Sequence, residues 1–191
     1  MPDDSLTQLP ITEFLDQLAS PAPTPGGGSV AALTGALAAA LGRMVAALTL
    51  GKPKFAAVEA EVRSLAERLS RADRLLRRLI DEDAAAYDEL NAAFRINKTD
   101  PQRASRIAET AGLAASVPLE TAALSGRVLA DLEHLRRVGN PLLRPDVEAA
   151  VHLAHAAMHA AAANVRANLP LLPPDQARQI EKELAALVPQ P

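Results

Sequence analysis

Residues 56–94 read AAVEAEVRSLAERLSRADRLLRRLIDEDAAAYDELNAAF, a stretch with neither proline nor glycine. Apolar side chains recur in it at alternating steps of three and four residues, the period of one helix face. The members of this stripe are Val58, Val62, Leu65, Leu69, Ala72, Leu76, Leu79, Tyr87, Leu90 and Phe94. The pattern predicts one helix of roughly 60 Å, at about 1.5 Å per residue. Such a helix predicts an elongated bundle or a pair of subunits side by side.

Asp83 interrupts this stripe, between Leu79 and Tyr87, where an apolar residue is expected. Burial would raise the pKa of its carboxyl group toward the range that suits a general acid or base. The alternative is a carboxylate paired with an arginine or with a helix N-terminus on another helix. Three other acidic residues fall off the stripe and are predicted to face solvent: Asp81, Glu82 and Asp88.

The sequence PGGGS at residues 25–29 opens a second helix, predicted over about 29–50 and ended by Gly51 and Pro53. Glycines at a helix start let backbone amides face an anionic or carbonyl group without obstruction by Cβ atoms. The alternative interpretation is a tight turn with close helix packing. The candidate ligand-binding residues here are Gly26, Gly27, Gly28 and Ser29.

The remaining chain also has helical patterning. A short amphipathic helix is predicted over 11–18, and another helix runs from a cap at Asp100 to about residue 138, kinked or split at Pro118. Two further helices are predicted over 145–169 and 175–187. We therefore expect one all-α domain over 1–191, an up-and-down bundle, with residues 1–9 as a flexible N-terminal segment.

Composition narrows the function classes. Apolar residues make up 49% of the chain but aromatic residues only 2%, so alanine and leucine must supply the helix packing. The net charge of −3 is spread along the chain, which argues against a nucleic-acid partner. The absence of cysteine excludes disulfides and thiolate chemistry and fits a cytoplasmic location. The apolar run 30–50 contains Arg43, so we interpret it as a buried helix and expect no membrane association.

Further polar residues stand at helix ends. Lys52 and Lys54 follow the glycine-rich helix, where they either grip a carboxylate-bearing ligand or complement the helix C-terminus. Asn140 and Asp146 bracket the start of a later helix, where capping is the strong alternative to ligand binding.

The helix predicted over 145–169 carries two further sets of polar side chains. Asn164 and Asn168 lie one turn apart, facing either a ligand or a neighbouring helix. Three histidines share another face, but without an HExxH pattern or a partner carboxylate we expect no metal site: His152, His155 and His159.

Taken together, these segments resemble the cyclodeaminase/cyclohydrolase family of folate enzymes. The resemblance rests on ITEFL at 11–15, PGGGSVAA at 25–32, GK at 51–52 with Lys54, Asp83-Ala84 with Tyr87, VPL at 117–119, GN at 139–140 with Asp146, and NV at 164–165 with NL at 168–169. This sequence departs from the family at two places. It has Pro53 where the family usually has a basic residue, and Leu-Leu-Arg-Pro at 142–145 where the family usually has polar asparagine and serine before the aspartate.

The resemblance implies a helical homodimer that acts on a tetrahydrofolate derivative in a site between subunits, with no tightly bound cofactor. The reaction it implies first is conversion of 5-formimidoyltetrahydrofolate to 5,10-methenyltetrahydrofolate and ammonia, with Asp83 as acid/base. A separate formimidoyltransferase would supply that substrate. The alternatives are 5,10-methenyltetrahydrofolate cyclohydrolase activity and a non-catalytic folate-binding or assembly role. The implied substrate-binding residues are Gly26, Gly27, Gly28, Ser29, Lys52, Lys54, Tyr87, Asn140, Asp146 and Asn164.

Overall fold

The computed structural model describes residues 5–188, and every regular element in that range is a helix. The six α-helices are α1 Ile11–Leu18, α2 Gly27–Thr49, α3 Glu59–Phe94, α4 Arg103–Val138, α5 Arg144–Asn168 and α6 Pro174–Leu187. Short 3-10 turns span Leu6–Gln8, Pro53–Val58, Pro141–Leu143 and Leu169–Leu171. The predicted all-α bundle with one very long helix is confirmed, and α4 equals α3 in length at 36 residues.

The glycine-rich helix α2 lies in the middle of the bundle, packed against α3, α4 and α5. Glycines at seven-residue intervals permit this close packing. A Cβ atom at Gly35 would lie 2.8 Å from Ser125 Oγ, and one at Gly42 would lie 2.6 Å from a Leu132 methyl carbon. Of the helices in residues 5–188, α2 alone is long and apolar enough to cross a membrane. Half of its most apolar 18-residue stretch is buried in the bundle.

The stripe of α3 is buried along most of its length, and two of its members near the C-terminal end are exposed although Leu90 between them is buried. Five of its members are at most 1% exposed: Val62, Leu65, Leu69, Leu76 and Leu79. Tyr87 and Phe94, by contrast, are 44% and 43% exposed. The predicted burial is wrong for these two because α2 begins opposite Asp83, which packs against Gly28. Beyond that point Leu90 is buried with alanines of α4, whereas Tyr87 and Phe94 are not covered by α2.

Pro118 does not split α4, which runs unbroken from Arg103 to Val138 with Pro118 buried inside it. A proline removes one backbone hydrogen bond, and packing of α4 against α2, α3 and α5 keeps the helix continuous. The expected cap also differs. The Asp100 carboxylate accepts a hydrogen bond from the Gln102 amide at 2.8 Å, which stabilises the turn before α4 instead of the helix itself.

The N-terminal segment is anchored over the part that the structure describes. Residues 1–4 of the segment expected to be flexible lie outside the described range. Ser5 Oγ and the Leu6 amide each donate a hydrogen bond of 2.7 Å to the Asp81 carboxylate. Residues 5–9 are thus held against α3, and Asp81 is a partly buried anchor where a solvated side chain was expected.

Asp73 is a buried carboxylate that the periodicity of α3 does not reveal. The residue is 2% exposed. It pairs with Arg77 one turn along α3, at 2.8 Å, and with Arg43 of α2. Both arginines keep about half of their side-chain surface exposed. The buried charge is therefore neutralised from the surface and links α2 to α3.

Candidate active site

The carboxylate of Asp83 lies directly against the first turn of α2. An ideal Cβ atom built on Gly28 would lie 1.9 Å from Asp83 Oδ1, which is far inside van der Waals contact. Only glycine at position 28 leaves room for the carboxylate in this place. The close-packing interpretation of the glycine-rich turn therefore holds for Gly28, and what packs there is the predicted acid/base group.

Burial raises the pKa of the Asp83 carboxyl group above its ordinary value, because desolvation disfavours the charged form. Hydrogen bonds from the hydroxyl and the backbone amide of Ser29 partly oppose this shift. Among the ion pairs of residues 5–188, none includes Asp83. The structure therefore does not show the arginine-paired alternative, but it does show the other one, in which the Asp83 carboxylate lies at the N-terminus of a neighbouring helix, α2. Asp83 is thus a partly buried carboxyl group with a raised pKa.

Asp83 lines a cavity of about 210 Å³ between the start of α2, the far part of α3 and the end of α5. The lining residues are Pro23, Thr24, Gly26, Gly27, Gly28, Asp83, Tyr87, Ala114, Asn164 and Asn168. Six of the predicted site residues are thus brought together although they are far apart in sequence. Ser29 is not part of this lining, since it is fully buried behind Gly28.

Two asparagines of α5 supply polar atoms to the cavity. Asn164 Nδ2 donates to the carbonyl of Ala160 at 2.9 Å, and its side chain packs on Gly27, where an ideal Cβ would lie 3.2 Å from Oδ1. Asn168 Nδ2 donates to the carbonyls of Ala114 in α4 and Asn164. The neighbouring-helix alternative is therefore realised for Asn168, and the amide oxygens remain as acceptors for a ligand.

Part of this lining has only a weak signal in the sequence. Asn168 shares a face with Asn164, so the one-turn spacing was the available signal for it. Pro23 and Thr24 carry no signal beyond their place just before the glycine-rich turn. Ala114 reaches the cavity only through the packing of α4.

The other four predicted site residues lie at the opposite end of the bundle. The Asn140 amide donates to Thr49 Oγ1 at 3.0 Å, and Thr49 is the last residue of α2. The 23 residues of α2 span about 33 Å. Within one chain, the residues near this end therefore do not reach Asp83: Lys52, Lys54, Asn140 and Asp146.

Local contacts at this end partly match capping, the alternative to ligand binding for these residues. Asn140 Oδ1 accepts a hydrogen bond from the Leu142 amide at 3.2 Å, as a capping residue does. The Lys54 ammonium lies 4.7 Å from the centre of the Phe55 ring. Asp146 stands in the first turn of α5. On the outer face of α5, the three histidines are exposed, and residues 5–188 contain no group of three or more side chains suited to a metal ion.

Several known proteins are similar to this chain. A family model described as formiminotransferase-cyclodeaminase matches residues 10–186. A methenyltetrahydrofolate cyclohydrolase from Methylorubrum extorquens is 40% identical over 162 residues, covering 83% of this chain and 78% of the relative. The formimidoyltransferase-cyclodeaminase of Sus scrofa is 31% identical over 98% of this chain, which spans only 36% of that longer protein.

A solved structure shows the same fold. The formiminotetrahydrofolate cyclodeaminase of Thermotoga maritima superposes with a TM-score of 0.88 at 30% identity, over 95% of this chain and 89% of that one. The match extends over the helices that build the Asp83 cavity. This chain belongs to the formiminotransferase-cyclodeaminase family, the cyclodeaminase and cyclohydrolase enzymes of folate one-carbon metabolism.

Proposed function

We propose that this chain catalyses proton transfer at the one-carbon bridge between N5 and N10 of tetrahydrofolate, with Asp83 as the acid/base group. The observation that carries the proposal is the partly buried Asp83 carboxyl group in the cavity, without a cationic partner in residues 5–188 and with a raised pKa. A general acid/base works best when its pKa lies near the working pH. Desolvation moves Asp83 in that direction.

The first candidate reaction is hydrolysis of 5,10-methenyltetrahydrofolate, supported by the 40% identity to the Methylorubrum cyclohydrolase. Water attacks the methenyl carbon while the Asp83 carboxylate accepts a proton from it. The bond between that carbon and N5 then breaks, and protonated Asp83 returns a proton to N5. The product is 10-formyltetrahydrofolate, with one proton released overall.

The second candidate is the cyclodeaminase reaction, supported by the fold shared with the Thermotoga protein. N10 attacks the formimidoyl carbon of 5-formimidoyltetrahydrofolate, and the N10 proton is transferred to the imino nitrogen. Protonated Asp83 then gives a second proton to this nitrogen as its bond to carbon breaks, so that it leaves as ammonia. A formimidoyltransferase would supply the substrate, since the name of the pig relative joins the two activities. In both reactions the reacting atom is the one-carbon group that bridges N5 and N10 in 5,10-methenyltetrahydrofolate, the substrate of the first and the product of the second. The same cavity therefore suits either reaction.

The size of the cavity supports a site shared between two copies of the chain. About 210 Å³ is less than the roughly 300–1,000 Å³ of typical small-molecule sites. One subunit thus has room for the reacting end of a folate but not for its whole length. We propose that Lys52 and Lys54 of a second copy hold the glutamate carboxylates. Asn140 and Asp146 of that copy would line the same half of the site.

An exposed apolar face on α2 supports this arrangement. Leu37, Met44 and Leu48 are 50%, 38% and 44% exposed, and Ile11 and Leu15 of α1 are also exposed. A two-fold axis across the middle of α2 would bury this face in both copies. It would also bring the end of one α2 against the start of the other. The lysine end of one subunit would then lie beside the Asp83 cavity of its partner.

The assay that tests the reaction follows the near-ultraviolet absorbance of the methenyl chromophore. Purified protein receives 5,10-methenyl- and 5-formimidoyltetrahydrofolate in separate reactions. Enzyme-dependent loss of absorbance from the first supports cyclohydrolase activity, and its appearance from the second supports cyclodeaminase activity. Rates equal to the blanks in both reactions would overturn the enzyme proposal and leave a folate-binding or assembly role.

Mixing two inactive variants tests the shared site. Asp83→Asn and the double variant Lys52→Ala/Lys54→Ala each damage a different half of it. After random re-pairing, half of the dimers are mixed and each holds one intact site, so about one quarter of wild-type activity should return. No recovery, in a mixture shown to exchange subunits, would contradict a site built from two chains.

A further inference from the structure

Ser29 presents one hydroxyl group to two acceptors. Its Oγ lies 3.0 Å from Asp83 Oδ2 and 3.0 Å from the backbone carbonyl oxygen of Ile80. The residue is fully buried, so no water competes for the hydroxyl proton. A hydroxyl group donates only one hydrogen bond but can accept two. Ser29 therefore cannot donate to both neighbours at the same time.

The two neighbours match the two protonation states of Asp83. When Asp83 is ionised, the Ser29 hydroxyl donates to Oδ2. When Asp83 is protonated, its own O–H donates to Ser29 Oγ, and the Ser29 proton turns to the Ile80 carbonyl. That carbonyl has two lone pairs, so it can serve its helical hydrogen bond and Ser29 together. Only a hydrogen atom has to rotate between these arrangements.

We propose that Ser29 is a positioning residue that keeps Asp83 hydrogen-bonded in one orientation in both of its protonation states. This inference rests on the proposed acid/base role of Asp83. A group that takes up and returns a proton must be held equally well before and after each transfer. A partner able only to donate would leave the proton of the acid without an acceptor, and one able only to accept would repel the carboxylate.

The backbone fixes Ser29 in this place. It is the third residue of α2, and the absence of a Cβ atom at Gly28 lets the carboxylate approach the same turn. Among residues 5–188, the only other titratable side chain that lines the cavity is Tyr87 of α3. The lining residues from α2, α4 and α5 are glycine, alanine and asparagine. The hydroxyl of Ser29 is thus the side-chain group that responds most directly to the charge on Asp83.

The test compares Ser29→Ala, Ser29→Thr and the wild type by carbon NMR titration of the Asp83 carboxyl group and by the pH profile of kcat. Loss of the hydroxyl removes a hydrogen bond that favours the charged form, so Ser29→Ala should raise the pKa of Asp83. The limb of the kcat pH profile that reports the titration of Asp83 should move to higher pH with it, and kcat should fall about 10-fold while KM changes little. Ser29→Thr, which keeps the hydroxyl, should restore both readouts.

A matched control is Ser125→Ala, since Ser125 is also fully buried, contacts α2 and has no hydrogen-bond partner for its Oγ in residues 5–188. It should leave the pKa of Asp83 unchanged. An unchanged pKa and pH profile in folded Ser29→Ala would overturn the inference. The NMR titration needs no turnover, so a failed role for Ser29 is distinguishable from an inactive protein.

Discussion

At the scale of single residues, the burial of Asp83 makes the stability of the protein depend on pH. A carboxyl group with a raised pKa in the folded state binds its proton more tightly there than in the unfolded chain. The stability of the protein therefore falls as pH rises from the unfolded pKa of Asp83 to the higher folded one, and it stays lower above that window. A buried carboxyl group thus lowers stability at neutral pH, and such a cost is typical of sites whose chemistry needs a group that gains and loses a proton.

Replacing Asp83 with asparagine should separate the two effects. We expect kcat to fall about 10²–10⁴-fold, the range for loss of a general acid/base. The melting temperature at neutral pH should be unchanged or higher, because the desolvated charge is removed. Asp88→Asn is the matched control, as Asp88 is exposed on the same helix. Wild-type turnover in folded Asp83→Asn would contradict the acid/base role.

A second residue-scale prediction concerns the glycine beneath the carboxylate. Gly28→Ala should displace Asp83, because the new Cβ atom would lie 1.9 Å from Oδ1. We expect a loss of most activity and a destabilisation of about 1–3 kcal/mol, as for other overpacked sites. Urea unfolding and the absorbance assay measure the two effects.

The control for that variant is Gly126→Ala within α4. The nearest atom to its new Cβ would be the flexible Met158 methyl carbon, at 3.5 Å. Alanine there should stabilise the helix by about 0.5–1 kcal/mol. Equal activity in Gly28→Ala and the wild type would show that the carboxylate has room to move without consequence.

At the scale of helices, α2 and α3 are joined by two different means. Leucine and aspartate side chains of α3 pack directly on glycines of α2, so the two backbones lie close together. The buried Asp73 adds an ionic link, because it is held by Arg43 of α2 and by Arg77 of its own helix. Either arginine alone leaves the carboxylate paired, whereas loss of both leaves a buried charge without a partner.

A double-mutant cycle should reveal this redundancy. Arg43→Ala and Arg77→Ala are each expected to cost about 1 kcal/mol, since a hydrogen-bonded cation remains. The double variant should cost about 3–5 kcal/mol, more than the sum, because Asp73 is then buried and unpaired. Urea unfolding at one protein concentration measures these values. Additive single costs would contradict the shared pairing.

The control for this cycle is the exposed pair of Arg63 with Glu59, one turn apart on α3. Arg63→Ala should change stability by less than about 0.5 kcal/mol, because exposed ion pairs contribute little.

At the scale of the whole molecule, the proposed dimer links the apolar face of α2 to catalysis. Leu37 is exposed and lies near the middle of the 23-residue helix α2. Leu37→Glu would therefore place a charge in the middle of that face. We expect a helical monomer with little activity, although Leu37 does not line the Asp83 cavity. Light scattering and the absorbance assay test this. A fully active monomer would contradict the shared site.

The matched control for the dimer prediction is His155→Glu. His155 lies in a groove between α4 and α5 beside the end of α6, away from the apolar face of α2. Its substitution should leave both the molecular mass and the activity as in the wild type.

The sequence by itself determined the helical class and most helix boundaries, because the three- and four-residue spacing, the glycines and the prolines act over one or two turns. It also pointed to Asp83 as an interruption in an apolar stripe. It could not show that Asp73 is buried, that α4 passes through Pro118, or that Tyr87 lies beyond the cover of α2.

Those features depend on which helix lies beside which, and only the tertiary structure decided them. The same limit applies to the site. Packing of α2 against α3 and α5 brought Gly28, Asp83 and Asn164 to one cavity, while the length of α2 put Lys52 and Asn140 at the other end. Local patterns carry no information about such distances, because they arise from contacts between residues remote in the chain.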